Sequence, residues 1–208
     1  MTRGKFITIE GVEGVGKTTS IAFIEAYFNH FGQDILLTRE PGGTPLAEKI
    51  RELLLDARQT SMADDTELLL MFAARAQHLK EKIIPALEAG QWVICDRFTD
   101  ATYAYQGGGR GIDAARIASL VDWVQGGLRP DMTLLLDLPV DLGLKRAGER
   151  SEPDRFEQEK QAFFERVRAS YLAMAEAEPK RYRIIDASGS IDEVQSRIKT
   201  VLDKLTNP

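Results

Sequence analysis

Residues 5–31, KFITIEGVEGVGKTTSIAFIEAYFNHF, bring three signals together without a gap: a short apolar run, a glycine-rich turn and a stretch of helical periodicity. The turn, Gly11 to Thr18, satisfies G-x-x-x-x-G-K-[ST] at each fixed position, with a strand pattern before it and a helix pattern after it. Its glycines let backbone N–H groups curl inward, and the start of the following helix adds the positive end of its dipole. Such a loop cradles phosphate, so the chain is committed early to a strand–loop–helix unit.

Four more strand-like runs follow: QDILLT (33–38), QWVICD (91–96), DMTLLLDL (131–138) and YRIIDA (182–187), with helix patterns in every gap. Five strands alternating with helices predict an α/β fold with a parallel sheet covered on both faces. The clusters PGG (41–43), GGG (107–109) and GGLRP (126–130) read as loops between elements. With no repeat, low-complexity tract or linker, residues 1–208 are expected to form one domain. Several strands end in polar residues: Ile9-Glu10, Thr38-Arg39-Glu40 and Cys95-Asp96-Arg97. Ligands of open parallel sheets bind at the carboxyl ends of the strands, so these ends describe one candidate crevice.

Lysine plus arginine total 27 against 32 acidic residues, a net charge of −5, and such a surface repels a nucleic-acid polymer. The single cysteine, Cys95, has no partner in the chain and sits in an apolar stretch, as expected of a buried thiol in a reducing compartment. The loop begins too near Met1 to leave room for a secretion signal, and the uncharged run Leu68 to Ala74 is far short of a membrane helix. A cytoplasmic protein without a membrane partner is the expectation.

Within the loop, Lys17 reaches the terminal phosphates and Thr18 is placed to ligate Mg²⁺. A second, acidic magnesium partner should end a neighbouring strand, either Asp96 or Asp137. Asp96 is preferred because Arg97 beside it offers a phosphate-binding fork. A GTP-dependent switch would need an Asn-Lys-x-Asp guanine-reading loop, and the two asparagines, Asn29 and Asn207, are not followed by lysine. A motor or unwinding ATPase would normally be larger. A small-molecule kinase needs instead a second basic site and a mobile basic flap that excludes water. The turn TREPGGT (38–44) would hold Arg39 at the crevice mouth, the bland alternative being a surface pair with Glu40. LGLKRAGERSEPDRFE (142–157) gathers Lys145, Arg146, Arg150 and Arg155 in an acidic protein, as a short phosphate-closing lid over about 143–157 would.

The ordered set GVEGVGKT, TREPGGT, LMFAARAQ (70–77), DRFTDATYAYQG (96–107), RPD (129–131) and DRFE (154–157) resembles bacterial thymidylate kinase over about residues 5–187. The resemblance implies the phosphate-loop (P-loop) NTPase fold of the nucleoside monophosphate kinases, with ATP bound by Gly11, Val12, Glu13, Gly14, Val15, Gly16, Lys17 and Thr18. Phe72 and Arg75, which share a helix face, match the pair that stacks on the thymine ring and donates to its carbonyl; read without the resemblance, Phe72 is a core residue. Thr102, Tyr105 and Gln106 match positions lining the same base and sugar pocket, and Arg39 with Arg97 match the arginines that hold the acceptor phosphate. Glu13 matches an acidic residue that touches the sugar 3′-hydroxyl or the magnesium shell. The loop has no basic residue beside Glu13, so the chain resembles the type whose lid supplies the catalytic charge, from Arg150 first or Arg146 second. Phe98 stands where a tyrosine or histidine often follows Asp-Arg, and Gly148 thins the basic run of the lid.

The two histidines, His30 and His78, lie outside every motif and read as helix-surface residues. No general base is needed: a phosphate monoester ionises a second time near pH ~6 and arrives as an anionic nucleophile. The expected reaction is transfer from MgATP to thymidine monophosphate, in dTDP and dTTP synthesis. Lys17 and Arg150 would cradle the moving group, Thr18 and Asp96 would hold magnesium, and Arg39 with Arg97 would fix the acceptor. The family is commonly a homodimer. Another nucleoside monophosphate kinase, or a phosphate-loop ATP-binding regulatory protein, remains open at this level, and acceptor-dependent ADP release separates them.

Overall fold

A computed structural model of the chain describes residues 2–58, 61–148 and 154–206. Its five strands, β1 (Phe6–Glu10), β2 (Ile35–Arg39), β3 (Trp92–Asp96), β4 (Met132–Asp137) and β5 (Tyr182–Asp186), form one sheet in the order β2-β3-β1-β4-β5, and each pairing is parallel. The strand runs read from the sequence match these to within two residues. β1 lies at the centre and each of its residues is buried, as expected of a parallel strand covered on both faces.

Side-chain alternation divides the apolar residues between the two faces. Phe6, Val93, Cys95 and Phe98 pack with Leu79, Ile83 and Leu87. Ile7, Ile9 and Ile94 join the larger core with Ile24 and Phe28 of α1 (Lys17–His30) and Leu202 of α9 (Ile191–Thr206). Between the strands lie α2 (Pro45–Leu55), α3 (Asp64–His78), α4 (Ile84–Glu88), α5 (Thr99–Thr102), α6 (Ala114–Gln125), α7 (Val140–Gly148) and α8 (Gln161–Ala177). A π-helical stretch, Leu79–Ile83, joins α3 to α4, and a second, Tyr103–Gly109, continues α5.

That second stretch corrects the reading of GGG (107–109) as a loop. A Cβ on Gly108 would come within 2.8 Å of the Ser170 side chain, and one on Gly109 within 2.4 Å of the Phe163 ring. The glycines are there to let this helix lie against α8, not to break it. His78 is also corrected: it is fully buried, with Nδ1 3.0 Å from Glu40 Oε1 and Nε2 2.6 Å from the Thr38 hydroxyl. A carboxylate can only accept, so the proton on Nδ1 faces Glu40. His30 is exposed, as expected.

Candidate active site

The phosphate loop leaves the buried end of β1 and turns at Gly11, Gly14 and Gly16, all with positive φ. At Gly14 the requirement is double, because a Cβ would lie 1.8 Å from the Gly143 carbonyl oxygen. This contact brings the start of α7 against the loop. Gly16 caps α1, whose first residue, Lys17, donates from Nζ to the Gly11 carbonyl at 3.3 Å and lies 3.9 Å from Glu13 Oε2.

Arg97 sits at the end of β3 with φ +66°, the only non-glycine residue with positive φ among those described. A bulky residue there stores strain of order 1–3 kcal/mol, which the surroundings must offset. They do so through Glu10: its Oε1 accepts from the Phe98 N–H at 2.7 Å and its Oε2 from the Tyr171 hydroxyl at 2.7 Å. Thus held, Arg97 donates from Nη2 to Glu13 Oε2 at 2.7 Å and lies 4.6 Å over the Tyr105 ring, whose hydroxyl donates to Glu13 Oε1 at 3.0 Å. Burial pushes the Glu13 carboxyl up, but Arg97, Lys17 and the Tyr105 bond outweigh it and leave the group below its ordinary range. Lys17 is lowered, first by burial and then by Arg97, against the pull of Glu13 and Asp96. Glu10, buried near Asp100, is pushed up to about 7.

A cavity of about 300 Å³ runs from the phosphate loop and Asp96-Arg97 to Met71, Arg75, Thr102, Tyr105 and Gln106, closed by Asp154, Phe156 and Glu157. At its far end Arg75, 3% exposed, donates from Nε to Glu40 Oε2 at 2.7 Å and from Nη2 to the Thr102 hydroxyl at 3.0 Å. These two acceptors, with His78 behind Glu40, lock the guanidinium in one orientation. Arg97, Arg75, Thr102, Tyr105, Gln106, Glu13 and Lys17 are therefore brought together as expected.

Three expected residues fall elsewhere, and a fourth, Arg150, is not among the described residues. Phe72 does not line the cavity: it is 2% exposed and packs with Leu68, Ile117 and Val121, touching the site only through Arg75, whose guanidinium is 4.9 Å over its ring. Met71 takes the cavity position, because one residue along a helix turns the side chain by about 100°. Arg39 is half exposed and paired with Glu48 at 2.9 Å, neither in the cavity nor bonded to Glu40. Arg51 lines the cavity instead, with Nη1 donating to the Pro41 carbonyl at 2.9 Å. Its spacing of four from Leu55, another cavity residue, was the available helical signal. Arg146 donates to the carbonyls of Ala187 and Ser188 at 2.9 and 3.2 Å and lines a second space of about 580 Å³ beside Gly14–Gly16 and Ser190–Gln195. Arg150 lies outside the described residues. Arg155 is tied to Glu67 at 2.6 Å and to the Leu54 carbonyl.

The donor set suits a magnesium ion. Asp96 Oδ1 is buried with no hydrogen-bond partner, an arrangement that is costly unless a cation or its water is to be met there. Asp137, the alternative, is consumed by a bidentate pair with Arg168 at 2.7 and 2.9 Å. Cys95 is buried, its thiol donating to the Arg97 carbonyl at 3.0 Å.

Comparison with known proteins follows the same lines. The family model for thymidylate kinase matches residues 9–198. The thymidylate kinase of Alkalilimnicola ehrlichii is 58% identical over 203 residues, 97% of this chain and 94% of that one. That of Pseudomonas putida GB-1 is 60% identical over 199 residues, 96% and 95% of the two chains. The crystal structure of thymidylate kinase from Ehrlichia chaffeensis superposes with a TM-score of 0.77 at 34% identity, covering 97% of this chain and 99% of that one.

Proposed function

This chain belongs to the thymidylate kinase family and phosphorylates thymidine monophosphate to the diphosphate, and on that premise we propose how its residues divide the work. The observation that carries the proposal is Arg97, strained into one position between Glu13 and the Tyr105 ring at the junction of loop and cavity. The acceptor phosphate lies against Arg97 and Arg51. The acceptor base lies against Met71, with Arg75 donating to a carbonyl oxygen and Gln106 reading the adjacent ring nitrogen. Tyr105 and Glu13 flank the sugar. The loop, Gly11 to Thr18, holds the donor phosphates of ATP, and the second space beside Arg146 takes the donor base.

Catalysis is then alignment and charge neutralisation. Lys17 follows the transferred group, and the acceptor phosphate needs no base. Arg146 faces the donor base, so the lid charge is assigned to Arg150. Thr18 and Asp96 would hold magnesium, which when bound neutralises the donor phosphates. The closing wall, Asp154 to Glu157, excludes water from the acceptor end. We take residues 1–208 as one kinase unit acting in the cytoplasm. The exposed Leu46 and Leu53 on α2, Leu69 on α3 and Trp123 on α6 support a homodimer. No helix among the described residues is long and apolar enough to cross a membrane.

The test is ADP release from MgATP with thymidine, deoxyuridine, uridine, cytidine, adenosine and guanosine monophosphates. Fast turnover with thymidine monophosphate, weaker with its deoxyuridine analogue and negligible with the rest is expected. Preference for a purine or a ribonucleotide would overturn the pocket assignment.

A further inference from the structure

Glu67 on α3 is 1% exposed and has no part in the division of work above, yet it meets three side chains. Its Oε1 accepts from Gln106 Nε2 at 2.8 Å, its Oε2 is 3.1 Å from Arg110 Nη2, and Arg155 Nη2 is 2.6 Å away. A carboxylate flanked by two guanidinium groups accepts hydrogen bonds and donates none. The amide of Gln106, itself 1% exposed on the cavity wall, therefore has only one favourable sense: nitrogen toward Glu67, oxygen away from it. Among the described residues nothing donates to that oxygen.

We propose that Glu67 is a positioning residue for base selection: by holding the Gln106 amide nitrogen it turns the amide oxygen into the acceptor cavity, so the site takes a base presenting a ring N–H there and rejects one presenting a lone pair. Thymine and uracil present N3–H; cytosine presents a bare N3. A flipped amide would face cytosine with a donor and thymine with a clash of two donors. The inference rests on the reading that the acceptor base lies between Met71, Arg75 and Gln106.

The experiment compares kcat/KM for deoxycytidine and thymidine monophosphates in the wild type and in Glu67→Gln, a near-isostere that accepts or donates and so frees the amide to turn. The ratio of deoxycytidine to thymidine monophosphate should rise on the order of tenfold, the worth of one repaired contact. Arg75 still opposes the cytosine amino group, which bounds the gain. The ratio of deoxyuridine to thymidine monophosphate should stay put, since both present N3–H. A role confined to packing would lower every substrate in parallel, and that result overturns the proposal. So does an equal rise in Arg110→Gln, which loosens the ion network around Glu67, including the 3.3 Å bond from Arg110 Nε to Oε1, but keeps the Glu67 carboxylate as the acceptor for Gln106.

A measurement on the wild type keeps the question open to refutation even if Glu67→Gln does not fold. The ¹⁵N-labelled Gln106 side-chain NH₂ resonances should barely move when thymidine monophosphate binds, because the nitrogen stays on Glu67. A large displacement would mean that the nitrogen faces the base. Gln106→Leu separates the two levels: an unchanged KM for thymidine monophosphate removes the base-pocket reading, whereas a raised KM with an unmoved base ratio in Glu67→Gln removes only the role of Glu67.

Discussion

Replacing Glu10 by glutamine should flatten the dependence of stability on pH between 5 and 8. Glu10 is fully buried at the end of β1, and burial first, then Asp100, pushes its carboxyl to about 7 from an ordinary 4.5, against the pull of the Tyr171 bond and Arg97. The folded chain thus keeps a proton that the unfolded chain has released across that window. Stability is then fully present below about pH 4.5 and is lost as pH rises through about 7. At ~1.4 kcal/mol per pH unit, the span corresponds to roughly 3 kcal/mol. Glutamine has the same shape, accepts the Phe98 N–H through its oxygen, and does not titrate. Urea unfolding at pH 5, 6, 7 and 8 should give the wild type a falling stability that Glu10→Gln largely lacks, all other titrating groups being common to both. Parallel curves for the two proteins would refute the buried-carboxylate reasoning.

Phe72→Ala should cost about 3–5 kcal/mol of stability through a core cavity, while Met71→Ala should mainly raise KM for thymidine monophosphate; steady-state kinetics with thermal unfolding of each separates the two. Arg97→Ala should lower kcat/KM by roughly 100-fold or more, the loss of a charge-assisted contact to the acceptor phosphate, without unfolding the chain; near-normal efficiency with thymidine monophosphate would move the acceptor site elsewhere. Arg150→Ala should cut kcat on the order of 10³-fold if its charge meets the transferred group, and single-turnover kinetics would read this directly. Gly109→Ala should destabilise by about 1–3 kcal/mol, because its methyl group would have to displace the Phe163 ring; a neutral result in chemical unfolding would contradict the close approach of this helix to α8.

The strand–loop–helix unit, the five parallel strands and the sharing of Asp96, Arg97 and Glu13 in one crevice were all legible in the residues. They follow from local rules: period-2 runs, glycines where φ must be positive, and polar residues at strand ends. The errors share a different cause. Phe72 and Met71 are adjacent in a helix whose pattern, LLLMFAAR, is apolar on nearly every side, so only the neighbours that pack against α3 decide which side chain meets the cavity. His78 and the glycines at 107–109 were misread for the same reason, since burial by a distant segment leaves no mark on the local pattern.

Ion pairing was the least legible level. Arg39, Arg51, Arg146 and Arg155 are equivalent as letters, and each is spent on a partner between nine and 101 positions away: Glu48, the Pro41 carbonyl, Ala187 and Ser188, Leu54 and Glu67. By itself the sequence determined the chemistry available at the crevice, because backbone geometry and residue type are local properties of the chain. Which arginine faces a phosphate, which way the Gln106 amide turns and which residue walls the base were decided only by the tertiary structure, because a charge or an amide takes its orientation from the partner that folding brings to it.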